Sequence, residues 1–219
     1  MSDVADAPPP VLSGPRLDLV LVTVEQLLAR AASDGPVDLG YDDPHDVLGP
    51  RDSPLHHRVP QVLADPSVNP WLVRLAVLRG TGQIVGLVNF HGAPDESGMV
   101  EIGYRVLPEH RRRGYATEMA STMWAYAATL PAVRVLRATF TPDNEGSRAI
   151  IEAAGLAQVG EQWDDEDGLE LVYEIGADDY ATRWDVVRPR PAPEPTPRTN
   201  ADVTGGAAVP GAGRRPHHQ

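Results

Sequence analysis

Three consecutive arginines at residues 111–113, followed by Gly114, are the part of this sequence whose types and spacing best suit a chemical task. Small and apolar residues recur at helical spacing directly after them, so this turn lies at the start of a predicted helix. The first N–H groups of a helix have no partner within it, and the helix dipole adds partial positive charge there. Guanidinium groups add donors that suit phosphate oxygens, and glycine lets the backbone come close. The pattern predicts a site for a diphosphate.

The elements around this turn form a strand, a helix and a second strand. Apolar and polar residues alternate over residues 99–106, which predicts a strand, and Pro108 ends it because proline has no N–H to donate. The helix follows from about Gly114, and residues 133–140 are a β-rich run directly after it. We expect the two strands to be roughly parallel, because a helix that crosses between them is the usual connection of parallel strands.

The other elements are predicted from local patterns. Thr23 and Gln26 form a capping box at the start of a short helix. A later helix begins at Asp143 or Asn144, and Gly155 stands just past its end. Further strands are predicted at residues 17–21, 71–78, 84–90, 156–159 and 169–175, the second and third of them joined as a hairpin.

These elements predict a mixed α/β (α+β) fold with a central sheet of six to seven strands flanked by helices. We expect one domain at residues 15–176, preceded by a flexible lead at residues 1–14. An extension at residues 177–187 has aromatic side chains with which it could pack on this domain. The Pro/Gly-rich residues 188–219 have no period and predict a disordered tail.

Composition excludes several kinds of function. The formal net charge of −12 argues against a nucleic-acid partner or an anionic membrane surface, both of which favour basic patches. The chain has no cysteine, which excludes disulfides and thiolate catalysis, and no lysine, which excludes Schiff-base chemistry. Its first residues are acidic and proline-rich, and no apolar run approaches the length of a membrane span, so we expect a cytoplasmic protein. The pair His56 and His57 lacks metal-ligand spacing, and no metal is expected.

Two motifs resemble a known family. The stretch RRRGYA at residues 111–116 matches the R/Q-x-x-G-x-G/A signature of the GNAT superfamily of acyl-CoA-dependent N-acetyltransferases. EIGYRVLPEHRRRGYATE resembles the strand, turn and helix of the ribosomal-protein-alanine N-acetyltransferase branch, and TPDNEGSRAIIEAAGL is similar to its N-x-x-S helix. The resemblance covers roughly residues 16–175. It departs from the family at Arg112, where glycine is common.

The resemblance implies acetyl-CoA as co-substrate, an amine acceptor, and a sheet that is splayed open near residues 104–107. In that splay, Val106 and Leu107 would contact the pantetheine arm through their backbone. Asn144 would contact the cofactor as well as cap its helix, and Ser147 would help to protonate the leaving thiolate. The diphosphate would be wrapped by Arg111, Arg112, Arg113, Gly114, Tyr115, Ala116 and Thr117.

The base that takes a proton from the amine is less well defined. Glu101 lies on the mixed face of its strand and is one candidate; the alternative is that it forms a salt bridge with an arginine. Glu161 is the competing base. Tyr104 belongs to the apolar face and is interpreted as a packing residue.

The sequence predicts acetyl transfer by direct attack of a primary amine, which is either a protein N-terminus or a small-molecule amine. The alternative is a catalytically silent acyl-CoA-binding regulatory module. The acceptor pocket should be formed mostly by residues 35–69 and the last hairpin. The oligomeric state stays open, with a homodimer as one option.

Overall fold

A computed structural model describes residues 8–49 and 54–185 of the chain. The strands of this part are β1 (Val11–Ser13), β2 (Leu17–Leu21), β3 (Arg74–Leu78), β4 (Gln83–Phe90), β5 (Met99–Val106), β6 (Val135–Phe140), β7 (Ala157–Asp164) and β8 (Gly168–Gly176). Its α-helices are α1 (Val24–Ala31), α2 (Leu55–Ala64), α3 (Tyr115–Ala127), α4 (Glu145–Ala154) and α5 (Ala177–Trp184). The predicted mixed α/β class is confirmed, with eight strands rather than six to seven.

The eight strands form one sheet in the order β1-β2-β3-β4-β5-β6-β8-β7. Among the described strands, β5 and β6 pair in parallel and the other neighbours pair antiparallel. The parallel pair is the one that the strand–helix–strand pattern predicted, with α3 as its crossover helix.

The ends of the fold differ from the predicted boundaries. β1 lies within residues 1–14, the predicted flexible lead, and pairs with β2 from Val11 to Ser13. Its central residue Leu12 is buried, so the sheet begins at Val11. The predicted extension at residues 177–187 contains α5, whose Tyr180 is buried against α3. The predicted tail at residues 188–219, like residues 1–7, lies outside the described residues.

Apolar side chains cover both faces of the sheet. α3 packs on one face through buried Met119, Met123 and Trp124. α1 packs on the other face, where Leu27 joins a second buried cluster that includes Leu48 from the loop after it. β3 and β4 are buried along almost their whole length, as expected of strands that are covered on both sides. Within the described ranges, no helix is both long and apolar enough to cross a membrane.

The predicted helix caps are present. The Thr23 side chain accepts from the backbone N–H of Gln26, and the Gln26 side chain accepts from the backbone N–H of Thr23. The capping box before α1 is therefore complete. The Asn144 side chain accepts from the backbone N–H of Ser147 at 3.0 Å and caps α4. Gly155 ends α4 in the left-handed conformation that glycine adopts readily, with φ 97°.

The parallel pair β5–β6 separates partway along its length. Cα partners run from Met99↔Val135 to Ile102↔Ala138 and end there. Beyond that point β5 stays paired with β4, and β6 stays paired with β8. The sheet is therefore open between residues 103–106 of β5 and the end of β6, which is where the resemblance implied a splay.

A buried carboxylate connects the start of β2 to α3. Glu118 is 7% exposed and accepts from the backbone N–H of Arg16 at 2.6 Å and of Leu17 at 2.8 Å. The Arg16 guanidinium donates to the same carboxylate at 2.8 Å. Because buried N–H groups must be satisfied, Glu118 replaces a ladder partner at this end of the strand.

We expect Glu118→Ala to lower the free energy of unfolding by about 2–4 kcal/mol, because two backbone donors and a guanidinium lose a charged acceptor. Urea denaturation measures this value. Glu96→Ala, at an exposed loop position, is the matched control and should change stability by less than about 0.5 kcal/mol. Equal stability of the two variants would contradict a structural role for Glu118.

Candidate active site

The arginine-glycine turn leads into α3 in a strained, well-anchored conformation. Gly114 is the N-cap of α3 with φ 79°, in the left-handed region. Arg112 is also left-handed, with φ 61°, which few non-glycine residues adopt. This is the position at which the resemblance expected glycine. The backbone of the turn therefore has the shape that glycine would favour, although the side chain is arginine.

Arg16 holds this turn from the side. Its guanidinium donates to the Arg113 carbonyl at 2.9 Å and lies 4.7 Å from the centre of the Tyr115 ring. Because Arg16 also bonds to Glu118, the turn and the first turn of α3 share one anchor. The sequence analysis did not find this role, since Arg16 lies far from the turn along the chain.

A cavity of about 500 Å³, here called the turn cavity, lies between this turn, β5 and α4. Tyr104 and the buried His110 also contribute to its wall. Of the residues predicted to contact a cofactor, the turn cavity is lined by Val106, Arg111, Arg112, Gly114, Tyr115, Ala116, Thr117, Asn144 and Ser147.

Two of the predicted cofactor contacts do not line the turn cavity. The Leu107 backbone N–H donates to the Val85 carbonyl at 2.9 Å, and its side chain is buried in the cluster on the α1 side. Arg113 is exposed, and its carbonyl is bound to Arg16. Their contacts therefore give no support to the roles that the resemblance implied for them.

His110 is a polar residue of the turn cavity that sequence reasoning missed. It is 7% exposed, and neither ring nitrogen has a hydrogen-bond partner within the described part of the chain. A carboxylate oxygen of Glu109 lies 3.8 Å from its Nε2 atom. Buried polar groups without partners are rare in proteins, so this wall of the cavity suits a polar ligand. Arg111 is oriented beside it by a 3.1 Å bond from Nε to the Val106 carbonyl.

A second cavity of about 720 Å³, here called the acidic cavity, lies between α2, β5 and the β7–β8 hairpin. α2 and this hairpin belong to the two segments in which the sequence predicted the acceptor pocket. Two arginines, Arg58 and Arg105, face five carboxylates in its wall. The carboxylates belong to Glu101, Asp164, Glu166, Asp167 and Glu170.

The carboxylates of the acidic cavity repel one another. Desolvation raises the pKa of Glu170, the charges of Asp164, Glu101 and Asp167 raise it further, and a hydrogen bond from Gln162 opposes the rise. A group in this state is stabilised by any cation that enters the cavity. The acidic cavity is therefore suited to a positively charged ligand such as an ammonium group.

Glu101 is fixed by two neighbours at the inner wall of the acidic cavity. Its side chain is 13% exposed, and its Oε1 atom accepts from the Thr139 hydroxyl at 2.7 Å. The Nδ1 atom of His91 lies 3.3 Å from the same oxygen. The carboxylate is therefore held by a threonine and a histidine rather than by the arginine salt bridge that was the alternative.

His91 is the neighbour that sequence reasoning missed. Its pKa is lowered, first by desolvation and then by the positive charges of Arg58 and His57, so the imidazole is neutral near pH 7. A carboxylate only accepts hydrogen bonds, so the neutral tautomer with its proton on Nδ1 is the one that suits the 3.3 Å contact with Glu101. Arg58 itself keeps its charge at this pH, since burial lowers its pKa only to about 10.

Tyr104 stands between the two cavities. It lines both of them, together with a smaller space of about 300 Å³ that also reaches Ser147 and Thr139. Burial raises the pKa of its hydroxyl, and the nearby Ser147 hydroxyl opposes that rise. Tyr104 is part of the core as predicted, but its hydroxyl also reaches the point where the cavities meet.

Glu161 lies away from both cavities. It is exposed on β7, and alternation along the strand puts Gln162 and Asp164 on the side of the acidic cavity instead. Of the two candidate bases, only Glu101 lines a cavity that Tyr104 also lines.

Comparison with known proteins agrees with this geometry. Residues 52–157 match the family model of the acetyltransferase (GNAT) domain. The uncharacterized N-acetyltransferase YjdG of Bacillus subtilis is 36% identical over 86 residues, which are 39% of this chain and 49% of that protein. Residues 52–157 are therefore similar to a GNAT acetyltransferase domain. The match spans about half the length of YjdG.

Solved structures share the fold of this chain. RimJ of Mycobacterium smegmatis, in complex with CoA-disulfide, aligns with a TM-score of 0.55 and 18% identity over 82% of this chain and 97% of that chain. The spermidine/spermine N-acetyltransferase SpeG of Vibrio cholerae aligns with a TM-score of 0.54 and 14% identity over 77% of this chain and 97% of that chain. The structural match therefore covers more of this chain than the family model does.

If the arginine-glycine turn holds a diphosphate, Gly114→Val should weaken coenzyme A binding by at least about tenfold. A β-branched residue at φ 79° costs about 1–3 kcal/mol of strain, and its Cβ atom lies 3.4 Å from Nη2 of Arg16, the residue that anchors the turn. Isothermal titration calorimetry with coenzyme A measures the change.

Gly82→Val is the matched control at another left-handed glycine, in the turn between β3 and β4. It introduces similar backbone strain outside the turn cavity, so coenzyme A binding should stay unchanged. If Gly114→Val binds coenzyme A with the affinity of the wild type, the diphosphate does not lie at this turn.

Proposed function

We propose that this chain transfers an acetyl group from acetyl-CoA to a primary amine. The observation that carries the proposal is the position of Tyr104, which lines both the turn cavity and the acidic cavity. A thioester bound in the first cavity and an amine bound in the second would meet beside this side chain. Bringing two reactants together in this way supplies a large part of the rate of a bimolecular reaction.

The turn cavity receives the donor. The free N–H groups at the start of α3 and the guanidinium groups of Arg111 and Arg112 bind the diphosphate. The pantetheine arm then runs through the opening between β5 and β6, and the thioester lies near Ser147. Supporting this path, Val106 at the edge of the opening and Ser147 on α4 line the same cavity.

The acidic cavity receives the acceptor. An ammonium group is attracted by its carboxylates, and Glu101 takes one proton so that the nitrogen lone pair becomes free. The neutral Nδ1–H group of His91 and the Thr139 hydroxyl keep one carboxylate oxygen fixed. The other oxygen can then face the amine.

The reaction is a direct attack. The amine nitrogen forms a bond to the carbonyl carbon of the thioester, and the bond from carbon to sulfur then breaks. Backbone N–H groups of β5 near Val106 polarise the thioester carbonyl. The leaving thiolate takes a proton from the Ser147 hydroxyl, directly or through water, and the second proton that the nitrogen loses as the amide forms returns to Ser147. The proton held by Glu101 then passes to solvent. With no cysteine in the chain, an acyl-cysteine intermediate is excluded.

The acceptor is a protein N-terminus or a small-molecule amine. SpeG, which shares the fold, is a spermidine/spermine N-acetyltransferase, and this is consistent with a small polycationic acceptor. The five carboxylates of the acidic cavity favour an acceptor with more than one positive charge. The cytoplasmic location and the homodimer stay predictions.

Thiol-release assays with acetyl-CoA over a panel of amines and peptides test the function. Glu101→Gln should lower kcat by about 10²-fold and Ser147→Ala by about tenfold or more, because each removes a proton-transfer group. Binding of acetyl-CoA, measured by calorimetry, should stay unchanged in both variants. Glu161→Gln, on the far face of β7, is the control and should keep wild-type activity.

Two outcomes would contradict this mechanism. Acetyl-CoA binding without turnover of any acceptor would favour the alternative, a catalytically silent acyl-CoA-binding regulatory module. A loss of activity in Glu161→Gln that equals the loss in Glu101→Gln would remove the assignment of Glu101 as the base.

The charge of Glu170 should control acceptor affinity. We expect Glu170→Gln to raise the KM for a cationic amine several-fold with no change in the KM for acetyl-CoA, because only the acceptor meets this carboxylate. Since the pKa of Glu170 is raised, it loses its charge at a higher pH than an ordinary glutamate. Lowering the pH should therefore raise the acceptor KM of the wild type more than that of Glu170→Gln.

Glu96→Gln removes an exposed carboxylate from the loop before β5 and serves as the control. An equal rise of the acceptor KM in both variants would assign the effect to net charge rather than to the acidic cavity.

A further inference from the structure

Three potential metal ligands meet at the rim of the acidic cavity. The Nε2 atom of His56 lies 3.5 Å from Oε1 of Glu166, and the Nε2 atom of His57 lies 3.9 Å from Oε2 of the same residue. All three ligand atoms lie within 4.8 Å of one another. The two imidazole rings also pack closely, with centroids 3.8 Å apart.

This spacing is close to what a metal ion requires. Zinc binds histidine nitrogen and carboxylate oxygen at about 2.0–2.2 Å in tetrahedral sites, which puts neighbouring ligand atoms about 3.3–3.6 Å apart. Small side-chain rotations of His56 and His57, which are exposed, would close the remaining distance. Two imidazoles with one carboxylate suit zinc and its neighbours, whereas magnesium and calcium prefer oxygen ligands alone.

Contacts on both sides hold the ligands in place. On the hairpin, the Asp164 carboxylate accepts from the backbone N–H groups of Glu166 at 2.8 Å and of Asp167 at 2.9 Å, which fixes the turn that carries Glu166. On α2, Arg58 and Gln61 both donate to the His91 carbonyl, at 3.0 Å and 2.8 Å. The helix that carries the histidine pair is thereby attached to the cavity wall. Such supporting bonds orient ligands in metal sites.

We propose that His56, His57 and Glu166 bind a divalent transition-metal ion of the zinc type. The ion ties the start of α2 to the β7–β8 turn across the rim of the acidic cavity. Three protein ligands leave one tetrahedral position open to water or to a ligand of the cavity. Glu166 is also one of the carboxylates proposed to attract the acceptor, but metal binding can be measured without any turnover.

The sequence alone predicted no metal here, because adjacent histidines lack the spacing of known motifs. The third ligand, Glu166, lies in a turn far along the chain and reaches the pair only through the fold.

The test is calorimetric titration of the full chain with zinc chloride. A second histidine pair, His217 and His218, lies outside the described residues and could bind zinc by itself, so all titrations use a H217A/H218A background. In this background we expect one zinc ion per chain and no measurable binding of magnesium chloride. His57→Ala and Glu166→Gln should each weaken zinc binding by at least about tenfold, because even a supporting group costs 10–100-fold.

His45→Ala is the matched control. His45 forms another exposed His–Glu pair, in which its Nε2 atom lies 2.7 Å from Oε1 of Glu109. His110 also lies near Glu109, but within the described residues only His56, His57 and Glu166 bring three ligand atoms within 4.8 Å of one another. The loss of His45 should therefore leave zinc affinity unchanged. Absence of saturable binding in the background chain would overturn the proposal, and so would equal affinity in the His57, Glu166 and His45 variants. Circular dichroism of each variant tests whether the exposed substitutions leave the fold intact.

Discussion

Parallel strands that separate inside a sheet leave backbone N–H and C=O groups without ladder partners, and buried groups of this kind must be satisfied in another way. β5 and β6 separate after Ile102 and Ala138. Part of the resulting edge is satisfied within the chain, since Arg111 donates to the Val106 carbonyl. The rest of the opening is bordered by Tyr104 and Ser147, which both line the turn cavity, and Tyr104 also lines the acidic cavity. The separation of the two strands therefore leaves space beside these two side chains.

The arginine-glycine turn depends on contacts with residues that lie far from it along the chain. Arg112 and Gly114 are both left-handed, and a turn of this shape keeps its form only when its surroundings hold it. Arg16 supplies this support by bonding to the Arg113 carbonyl and to Glu118. The first turn of α3, the start of β2 and the turn are thus one unit. Arg16 lies in the loop between β1, at the edge of the sheet, and β2. This loop therefore supports the turn before α3.

Local signals in the sequence predicted much of the fold. The capping box of Thr23 and the cap at Asn144 involve residues three positions apart, and such patterns are visible in any sequence. The parallel β5–β6 pair followed from chain order alone. β1 was missed because a three-residue strand beside a proline run has too few positions to show an alternating pattern.

Residues whose partners are distant could not be found in this way. His91 and Thr139 reach Glu101 from two other strands, and no spacing in the sequence connects them. Glu161 was chosen from its position after a helix, but the register of β7 shifts between Gln158 and Gly160. A shift of one residue exchanges the two faces of a strand, so strand periodicity could not show which side Glu161 faces.

The charges of the chain are separated according to the reactants that we propose. The chain is acidic overall, with a formal net charge of −12, yet its run of three arginines lies at the turn where an anionic diphosphate would bind. The carboxylates of the acidic cavity face the approach of a cationic amine. The carboxylates of the acidic cavity repel an anionic diphosphate, and the arginines of the turn repel a cationic amine. Each reactant is therefore disfavoured in the cavity proposed for the other. Tyr104 lines both cavities, and burial raises the pKa of its hydroxyl, so an uncharged side chain separates the two charged regions.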